Sequence, residues 1–242
     1  MELLKLNKIT KTYRNPGSQV ETQALEEISF ALNEGEFLSI MGPSGSGKST
    51  LMHIMGLLDR PSSGELFLRG QAVGQLTDDQ AARIRNKEIG FVFQSFNLLP
   101  RVSVLENIIL PLSYVGLAAN QEKEMAQKVI AAVGMEHRQN FLPNQLSGGE
   151  QQRAAIARAL VNNPSIIFAD EPTGNLDSKS GQQVMTILQK LNKEGKTVVL
   201  VTHEQATAQH GTRMLQLKDG RLISDMPITN RRLAENEDGL GK

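Results

Sequence analysis

Residues 42–50 restrict the folds open to this chain more than any other segment does. They read GPSGSGKST and match the pattern G-x-x-x-x-G-K-[ST], in which closely spaced backbone N–H groups surround phosphate oxygens. A short apolar run at 37–41 precedes them, as expected for a strand buried on both faces of a parallel sheet. The sequence therefore predicts a phosphate-binding loop between a strand and a helix of an α/β domain. The candidate binding residues are Gly42, Pro43, Ser44, Gly45, Ser46, Gly47, Lys48, Ser49 and Thr50.

Two side chains of this loop have specific tasks in the motif. Lys48 would supply a positive charge to the β- and γ-phosphates, and Ser49 would offer a hydroxyl to Mg²⁺. The helix that follows adds the positive end of its dipole. ATP and Mg²⁺ are therefore the expected cofactors. The alternative is a glycine- and serine-rich loop that matches the pattern by chance.

The composition argues against several classes of protein. The chain has 242 residues, with 26 Lys plus Arg, 26 Asp plus Glu and no cysteine. A net charge of zero gives no overall attraction to nucleic acid, so no nucleic-acid partner is expected, although a local basic patch would be compatible with that sum. Without cysteine there is neither a disulfide framework nor a cysteine-based metal site. No apolar run approaches the roughly 20 residues of a membrane span, so we expect a chain that does not cross a membrane.

The pattern along the chain predicts one α/β domain with two additions. Alternating residues indicate half-buried antiparallel strands at 25–32 and 65–68, with a turn at 15–17. Unbroken apolar runs at 166–169 and 198–201 indicate further strands of the parallel sheet. The predicted bounds are 1–94 and 163–227 for the core with its antiparallel β subdomain, 95–162 for an inserted helical lobe, and 228–242 for a loosely ordered tail.

Two helices of this domain have recognisable ends. Asp177 can cap a helix that stops at Gly195, because Asp is a preferred residue at the position before a helix and Gly at the position after it. Asn120 can cap a second helix, which stops at Gly134 by the same argument. The second helix lies in the predicted lobe.

Two carboxylates follow the predicted strand at 166–169. Open α/β sheets bind ligands at the C-terminal ends of their strands, where Asp170 and Glu171 would lie. Asp170 would hold Mg²⁺, and Glu171 would polarise the attacking water, since ATP hydrolysis requires a positioned nucleophile. A solvated turn is the alternative interpretation of an isolated Asp-Glu pair.

A second glycine-containing helix start lies at residues 146–152, which read LSGGEQQ. Ser147, Gly148 and Gly149 precede strong helix formers, so an anion could approach the N-terminal end of this helix closely. An ordinary capped helix explains the segment equally well. The chain thus contains one phosphate loop but two helix starts that could face phosphate.

The combination of these motifs resembles the ABC ATPase superfamily, in which L-S-G-G-[QE] is the diagnostic signature. The resemblance covers residues 2–225 and implies a P-loop NTPase core. It also implies that the signature of one cassette closes over ATP held by the phosphate loop of another, so Ser147, Gly148 and Gly149 would serve a second copy of the chain in an ATP-dependent homodimer. Glu150 stands where many members have Gln.

The resemblance implies roles for further residues. Tyr13 matches the aromatic residue that stacks on adenine, and Gln94 matches the glutamine that senses Mg²⁺ and the membrane partner. Residues 175–177 match the loop that crosses the dimer interface, and His203 matches the switch histidine near the γ-phosphate. The implied catalytic residues are Glu171, His203 and Gln94, and the implied Mg²⁺ ligands are Ser49, Gln94 and Asp170. The other histidines, His53, His137 and His210, are expected to be structural or solvated.

Within the superfamily, residues 170–177, 93–100 and 56–61 resemble the branch of MacB, lipoprotein-releasing and cell-division (FtsE) ATPases, and are closest to MacB-type exporters. This branch implies an ATP-hydrolysing subunit that drives conformational change in a membrane permease for export or mechanical transmission. It would lie in the cytoplasm, attached to the inner membrane through that permease. The loop after Gln94 contains Phe96, Leu98 and Leu99, and exposed apolar residues there would form the docking surface; folding back into the lobe is the alternative.

Other functions fit the sequence less well. A cell-division or lipoprotein-releasing ATPase is the nearest alternative. Soluble ABC ATPases of DNA repair carry long coiled-coil or zinc-bearing insertions, for which this chain has neither cysteine nor room. The signature at 146–150 and His203 argue against a kinase or GTPase, and Glu171 with His203 argues against a module that binds ATP without hydrolysing it. The transported substrate is not indicated.

Overall fold

The computed structural model describes residues 1–14, 21–236 and 239–240, so the turn predicted at 15–17 lies outside the described residues. The strands are β1 (Glu2–Arg14), β2 (Glu21–Asn33), β3 (Phe37–Met41), β4 (Ser63–Leu68), β5 (Gln71–Ala72), β6 (Ile89–Phe93), β7 (Ile166–Asp170), β8 (Thr197–Thr202), β9 (Arg213–Lys218) and β10 (Arg221–Pro227). The helices are α1 (Lys48–Met55), α2 (Asp78–Glu88), α3 (Val104–Ile109), α4 (Ala119–Ala132), α5 (Gly148–Leu160), α6 (Ser178–Lys193) and α7 (Gln205–Ala208). Short 3₁₀ segments lie at Leu110–Tyr114, Glu136–Arg138, Pro143–Gln145 and Ala234–Asn236.

The chain divides into two compact units, and the first comprises Met1–Arg85 and Thr197–Arg232. Its N-terminal part forms an antiparallel sheet in the order β2-β1-β4-β5. Strand β3 pairs in parallel with β8 on one side and β9 on the other, and β10 is antiparallel to β9. All six residues of β8 are buried, which explains its unbroken apolar run, whereas β2 alternates because only one of its faces is covered.

The second unit comprises Asn86–Lys196 and Leu233–Lys242. It contains the parallel pair β6 and β7 and the helices α3 to α6. Helix α5 lies against β6, where a Cβ at Gly90 would approach the carbonyl oxygen of Ala159 to 2.4 Å. Only a glycine permits that separation, so the strand and the helix pack backbone to backbone. Residues 95–162 contain helices α3, α4 and α5 and three short 3₁₀ segments.

The predicted helix ends are partly correct. Asp177 caps α6, because its Oδ1 accepts a hydrogen bond from the backbone N–H of Ser180 at 2.9 Å. The prediction that Asn120 caps α4 is wrong. The cap position is Ala118, and the Gln121 side chain accepts a hydrogen bond from the Ala118 N–H at 3.3 Å. A glutamine side chain thus satisfies the helix start that Asn120 was expected to satisfy.

The segment after Pro227 differs from the expected loosely ordered tail in its described residues. Ala234 is fully buried, and its backbone N–H donates to Oε1 of Gln189 at 2.9 Å. Leu240 is 4% exposed and lies over Gly181 of helix α6, where the absence of a side chain leaves room for it. The tail is polar in composition, but two of its apolar residues, Ala234 and Leu240, pack against α6.

Candidate functional site

The phosphate-binding loop joins β3 to α1 in the first unit, as predicted. The Nζ of Lys48 donates to the carbonyl oxygens of Gly42 and Pro43, at 2.8 Å each, so the ammonium group lies inside the curve of the loop. Lys48 is 9% exposed, whereas Ser49 beside it is exposed. The loop therefore holds a positive charge in a partly desolvated position and presents a hydroxyl to solvent.

The loop also contains a buried polar atom that the protein leaves unsatisfied. The hydroxyl of Ser46, which is 2% exposed, has no hydrogen-bond partner among the described residues. An unpaired buried hydroxyl costs about 1–3 kcal/mol, and a phosphate oxygen would satisfy it. This hydroxyl, Lys48 and the start of α1 make the loop fit an anionic phosphate.

Two glycines of the loop cannot be replaced without moving it. A Cβ at Gly42 would lie 2.2 Å from the carbonyl oxygen of Leu217 and 2.6 Å from the Ser46 hydroxyl. Gly47 has φ 96°, in the left-handed region that favours glycine. The pattern of glycines in the motif is thus explained by close approach at one position and by backbone conformation at the other.

Tyr13 lies at the end of β1 and is 42% exposed. Its hydroxyl donates to Oδ2 of Asp59 at 2.8 Å, and the Nζ of Lys11 lies 4.8 Å from the ring centroid. Burial, followed by the hydrogen bond to Asp59, raises the pKa of Tyr13. The sequence points to Tyr13 but gives no signal for Asp59, which is 46 residues away, or for Lys11, which is one of three lysines in β1.

In the second unit, β7 consists of four fully buried apolar residues followed by the half-buried Asp170. Glu171, the next residue, has φ 46°. A non-glycine residue in this left-handed region is uncommon and is held there at a cost of about 1–3 kcal/mol, often at functional sites. The backbone thus turns sharply at the point where the two predicted carboxylates leave the strand.

Gln94 and Asn175 form a reciprocal pair in the same unit. The Nε2 of Gln94 donates to Oδ1 of Asn175 at 3.2 Å, and the Nδ2 of Asn175 donates to the carbonyl oxygen of Gln94 at 3.1 Å. Two motifs that are 81 residues apart therefore hold each other. Gln152, which sequence analysis missed, is fully buried and donates from Nε2 to the carbonyl oxygens of Phe93 and Pro172.

The signature segment begins helix α5 with a capping box. Oγ of Ser147 accepts from the backbone N–H of Glu150 at 3.3 Å, and Oε2 of Glu150 accepts from the backbone N–H of Ser147 at 2.8 Å. Arg138 donates from Nε to Oε1 of Glu150 at 2.9 Å. The N–H of Ser147, then its hydroxyl and Arg138, lower the pKa of Glu150 against the effect of burial. The carboxylate is therefore ionised and paired at neutral pH.

The loop after Gln94 is held from inside the second unit. Arg158 donates from its guanidinium to the carbonyl oxygens of Phe96, at 2.9 Å, and Asn97. Asn107 binds the backbone of Leu99 through both its amide oxygen and its amide nitrogen. Leu99 is 46% exposed, whereas Phe96 and Leu98 are half-buried. Of the three apolar residues predicted to form a surface, Leu99 is the most accessible.

The predicted site residues fall in both units. Tyr13, the loop at 42–50 and His203, which is exposed after β8, belong to the first unit, and the other predicted residues belong to the second. Among the described residues, no group of three or more His, Cys, Asp or Glu side chains could hold a metal ion. Mg²⁺ is commonly held by one or two protein side chains together with substrate phosphates. The exposed hydroxyl of Ser49 in the first unit and the half-buried carboxylate of Asp170 in the second are each chemically suited to that role.

The features described so far define an ATPase with a P-loop core. A buried strand ends in a phosphate-binding loop, a second ends in two carboxylates, and a capped LSGGE segment begins a helix. The family model described as "ABC transporter" matches residues 25–174, and the chain belongs to this family. It is accordingly an ATP-binding, ATP-hydrolysing component of an ABC transporter.

Known proteins resemble the chain over most of its length. An uncharacterized ABC transporter ATP-binding protein of Thermotoga maritima is 50% identical over 84% of this chain and 87% of its own. The macrolide export ATP-binding/permease protein MacB of Chlorobaculum tepidum is 48% identical over 96% of this chain but only 35% of its own length. The chain thus spans about a third of that relative. The predicted resemblance to MacB-type proteins is confirmed.

A solved structure supports the fold. The dimeric post-hydrolysis state of an ATP-binding cassette of Methanocaldococcus jannaschii, bound to ADP and Pi, superposes with a TM-score of 0.86 at 45% identity. The match covers 93% of this chain and 99% of the other. The predicted fold class, an α/β P-loop core with an antiparallel β subdomain and helical lobe, is confirmed. Within the described residues, no helix has the length and apolar character that a membrane span requires.

Proposed function

We propose that this chain is the ATPase of a MacB-like transport system, in which two copies close around two ATP molecules and drive a conformational change in a membrane permease. The observation that carries the proposal is that one chain contains a single phosphate loop but a second glycine-containing helix start at Ser147. In a dimer of two copies in opposite orientation, each ATP would contact the phosphate loop of one copy and the helix start at Ser147 of the other. The dimeric state of the archaeal cassette supports this arrangement.

Each candidate residue has a role in this proposal that follows from its chemistry. Lys48 and the N–H groups of its loop bind the β- and γ-phosphates, and Tyr13 stacks on the base. Glu171 accepts a hydrogen bond from the attacking water and aligns it, and His203 contacts the γ-phosphate. The strained backbone at Glu171 supports the catalytic assignment. Ser147, Gly148 and Gly149 contact the γ-phosphate held by the other copy.

Mg²⁺ would be held by Ser49, Asp170 and Gln94, and when bound it neutralises negative charge on the phosphate oxygens. The hydrogen bond between Gln94 and Asn175 supports a further role for these residues. Asn175 belongs to the segment proposed to cross the dimer interface, so a change at Gln94 on nucleotide binding would be transmitted to that segment.

The membrane partner is proposed from the relatives. In the Chlorobaculum protein, the matching region is part of a longer ATP-binding/permease protein. We place the chain at the cytoplasmic face of the inner membrane, attached through a permease that contacts the loop containing Leu99. The exposure of Leu99 supports this contact, and the direction of transport would be export.

The dimer is tested with Glu171→Gln, which preserves shape but weakens polarisation of the water. With ATP and Mg²⁺ this variant should accumulate as a dimer in light scattering, because the nucleotide that holds the copies together is no longer consumed. The double variant Lys48→Ala, Glu171→Gln is the matched control and should stay monomeric. A monomer for Glu171→Gln at high protein and ATP concentrations would overturn the proposal.

A further inference from the structure

Asp59 connects two residues at the end of β1, and its position suggests a role in nucleotide recognition. We propose that Asp59 is a positioning residue for the adenine base: it fixes the ring of Tyr13 and, with Lys11, decides which face of that ring the base can use. This inference rests on the proposed function, in which Tyr13 stacks on adenine. Nothing in the sequence motifs assigns a role to Asp59 or Lys11.

Both oxygens of the Asp59 carboxylate are engaged by β1. Oδ2 accepts from the Tyr13 hydroxyl at 2.8 Å, and Oδ1 accepts from the Nζ of Lys11 at 2.6 Å. Tyr13 is 42% exposed, so packing alone leaves its ring considerable freedom to rotate. A hydrogen bond at the far end of the side chain removes that freedom before the ligand arrives, and such preorganisation lowers the entropic cost of binding.

Lys11 makes the two faces of the Tyr13 ring unequal. Its Nζ lies 4.8 Å from the ring centroid and also donates to the carbonyl oxygen of Arg60 at 2.7 Å. The ammonium group is therefore anchored on one face, in a cation–π geometry. A base can stack only on the opposite face, so Asp59, by holding Lys11, also selects the stacking face.

The turn that carries Asp59 is attached to the helix of the phosphate loop. The backbone N–H groups of Leu58 and Asp59 donate to the carbonyl oxygen of His53, at 2.8 and 3.2 Å, and His53 is in the last turn of α1. Because α1 begins at Lys48, the Asp59 carboxylate is fixed to the element that holds the phosphates. Asp59 thereby sets the position of the Tyr13 ring relative to the phosphate loop, as simultaneous binding of a base and a triphosphate requires.

The protonation states suit this role. Burial alone would raise the pKa of Asp59, but hydrogen bonds from Lys11, Tyr13 and the Arg60 N–H outweigh it and hold the pKa below its usual range. The pKa of Tyr13 is raised, so the phenol stays protonated and donates. At neutral pH the cluster therefore consists of an anion between a cation and a neutral donor.

The test uses the scarcity of chromophores in this chain, which has two tyrosines and no tryptophan. Replacing the 79% exposed Tyr114 by Phe makes Tyr13 the only phenol. In this background Asp59→Asn should lower the pKa of Tyr13 in an absorbance titration. It should also raise the KM for ATP about tenfold, the size of a lost charge-assisted hydrogen bond, and leave inhibition by tripolyphosphate, which has no base, unchanged. The matched control is Asp78→Asn, which removes a carboxylate that pairs with Arg60 rather than with Tyr13. It should change neither the pKa of Tyr13 nor the KM for ATP.

Tyr13→Ala separates this inference from the proposed function. If Tyr13→Ala leaves the KM for ATP unchanged, the adenine site of the proposed function is wrong. If Tyr13→Ala weakens ATP selectively but Asp59→Asn does not, the proposed function stands and the positioning role of Asp59 is wrong. An Asp59→Asn protein that loses ATP and tripolyphosphate affinity equally also overturns the inference, because that result indicates general damage to the fold.

Discussion

Arg138 donates a hydrogen bond from Nε to Oε1 of Glu150 at 2.9 Å and thereby places a positive charge beside the signature carboxylate. Glu150 needs such a partner, because it lies three residues from Ser147, which in the proposed dimer faces the γ-phosphate of the other copy. An unpaired carboxylate there would repel the phosphate, and opposite charges within about 4 Å offset such repulsion effectively when they are partly buried. Arg138 therefore compensates for the Glu in a position where many family members have Gln.

We expect Arg138 to matter only while Glu150 is charged. In protein that carries Glu171→Gln, Arg138→Gln should raise the ATP concentration for half-maximal dimerisation roughly fivefold, a coupling of about 1 kcal/mol. In the Glu150→Gln background the same change should have little effect, because no negative charge is left to compensate. Light scattering across an ATP titration measures the ATP concentration for half-maximal dimerisation in both backgrounds. Equal effects of Arg138→Gln in the two backgrounds would show that Arg138 has only a structural role.

Lys48→Ala should reduce ATP hydrolysis on the order of 10²–10³-fold, the usual cost of removing one positioned donor to a transition state. Lys48 also bonds to Gly42 and Pro43 in the structure, so thermal unfolding without nucleotide must be compared with wild type. Lys196→Ala is a suitable control, because Lys196 is likewise partly buried and bonded to the carbonyl oxygen of Pro164. Hydrolysis by Lys48→Ala at the wild-type rate would contradict the site assignment.

The features that sequence analysis predicted correctly are local ones. Strands β3, β7 and β8 have apolar runs that follow directly from burial on both faces, and the phosphate loop is specified by nine consecutive residues. The cap at Asp177 is also local, because its partner Ser180 is three residues away. Each of these patterns lies within a few consecutive residues, so it can be recognised without knowing which distant residues it contacts.

The features that were missed or wrong depend on distant partners. Asp59 is 46 residues from Tyr13, and its role is visible only when β1 and the turn after α1 are adjacent. Gln152 supports backbone 59 residues away at Phe93. The wrong prediction of a cap at Asn120 has a different cause. Asn and Gln side chains can both accept backbone N–H groups at a helix start, and local preference does not decide at which residue the helix begins. Leu240 was missed because its binding position depends on Gly181, a glycine of helix α6 that is distant in the sequence.

Acid should destabilise the protein through its helix starts. Glu106, Glu150 and Asp177 all accept backbone N–H groups there, and their pKa values are lowered, chiefly by a Ser103 hydroxyl, the Ser147 N–H and a Ser180 hydroxyl respectively. A lowered folded pKa means that the stabilisation is complete above the unfolded value and is lost as pH falls through the folded value. Stability should therefore begin to fall near the ordinary values of 4.5 for Glu and 3.8 for Asp.

This loss is measurable as the urea midpoint between pH 7 and pH 3. Glu106→Gln should lower the midpoint at pH 7 and flatten its decline in acid, because a neutral amide cannot be protonated in this range. Glu122→Gln removes a carboxylate from the first turn of α4, where Gln121 rather than an acid accepts the N–H of the cap residue; it is the control and should leave the pH profile unchanged. A Glu106→Gln profile parallel to that of wild type would exclude this cause of acid sensitivity.

The last prediction concerns the surface near Leu99. The loop that carries it is fixed by Arg158 and Asn107, yet the Leu99 side chain is 46% exposed. An apolar side chain on a rigid loop can bury its surface against a helix of a permease with little further loss of entropy. Leu99→Asp should therefore abolish co-purification with the co-expressed permease in detergent, while the isolated chain still folds and hydrolyses ATP.

Leu99 is a better test than Leu98, because Leu98 is half-buried and a charge there would also disturb the fold. Ile223→Asp is the matched control: Ile223 is 59% exposed on β10, and its replacement adds the same charge at a position outside the loop. Circular dichroism and the KM for ATP establish that each soluble variant is intact. Normal co-purification of an intact Leu99→Asp protein would place the permease contact elsewhere, and unfolding by Leu99→Asp would mean that this side chain belongs to the core, so that the docking surface must be sought outside the loop.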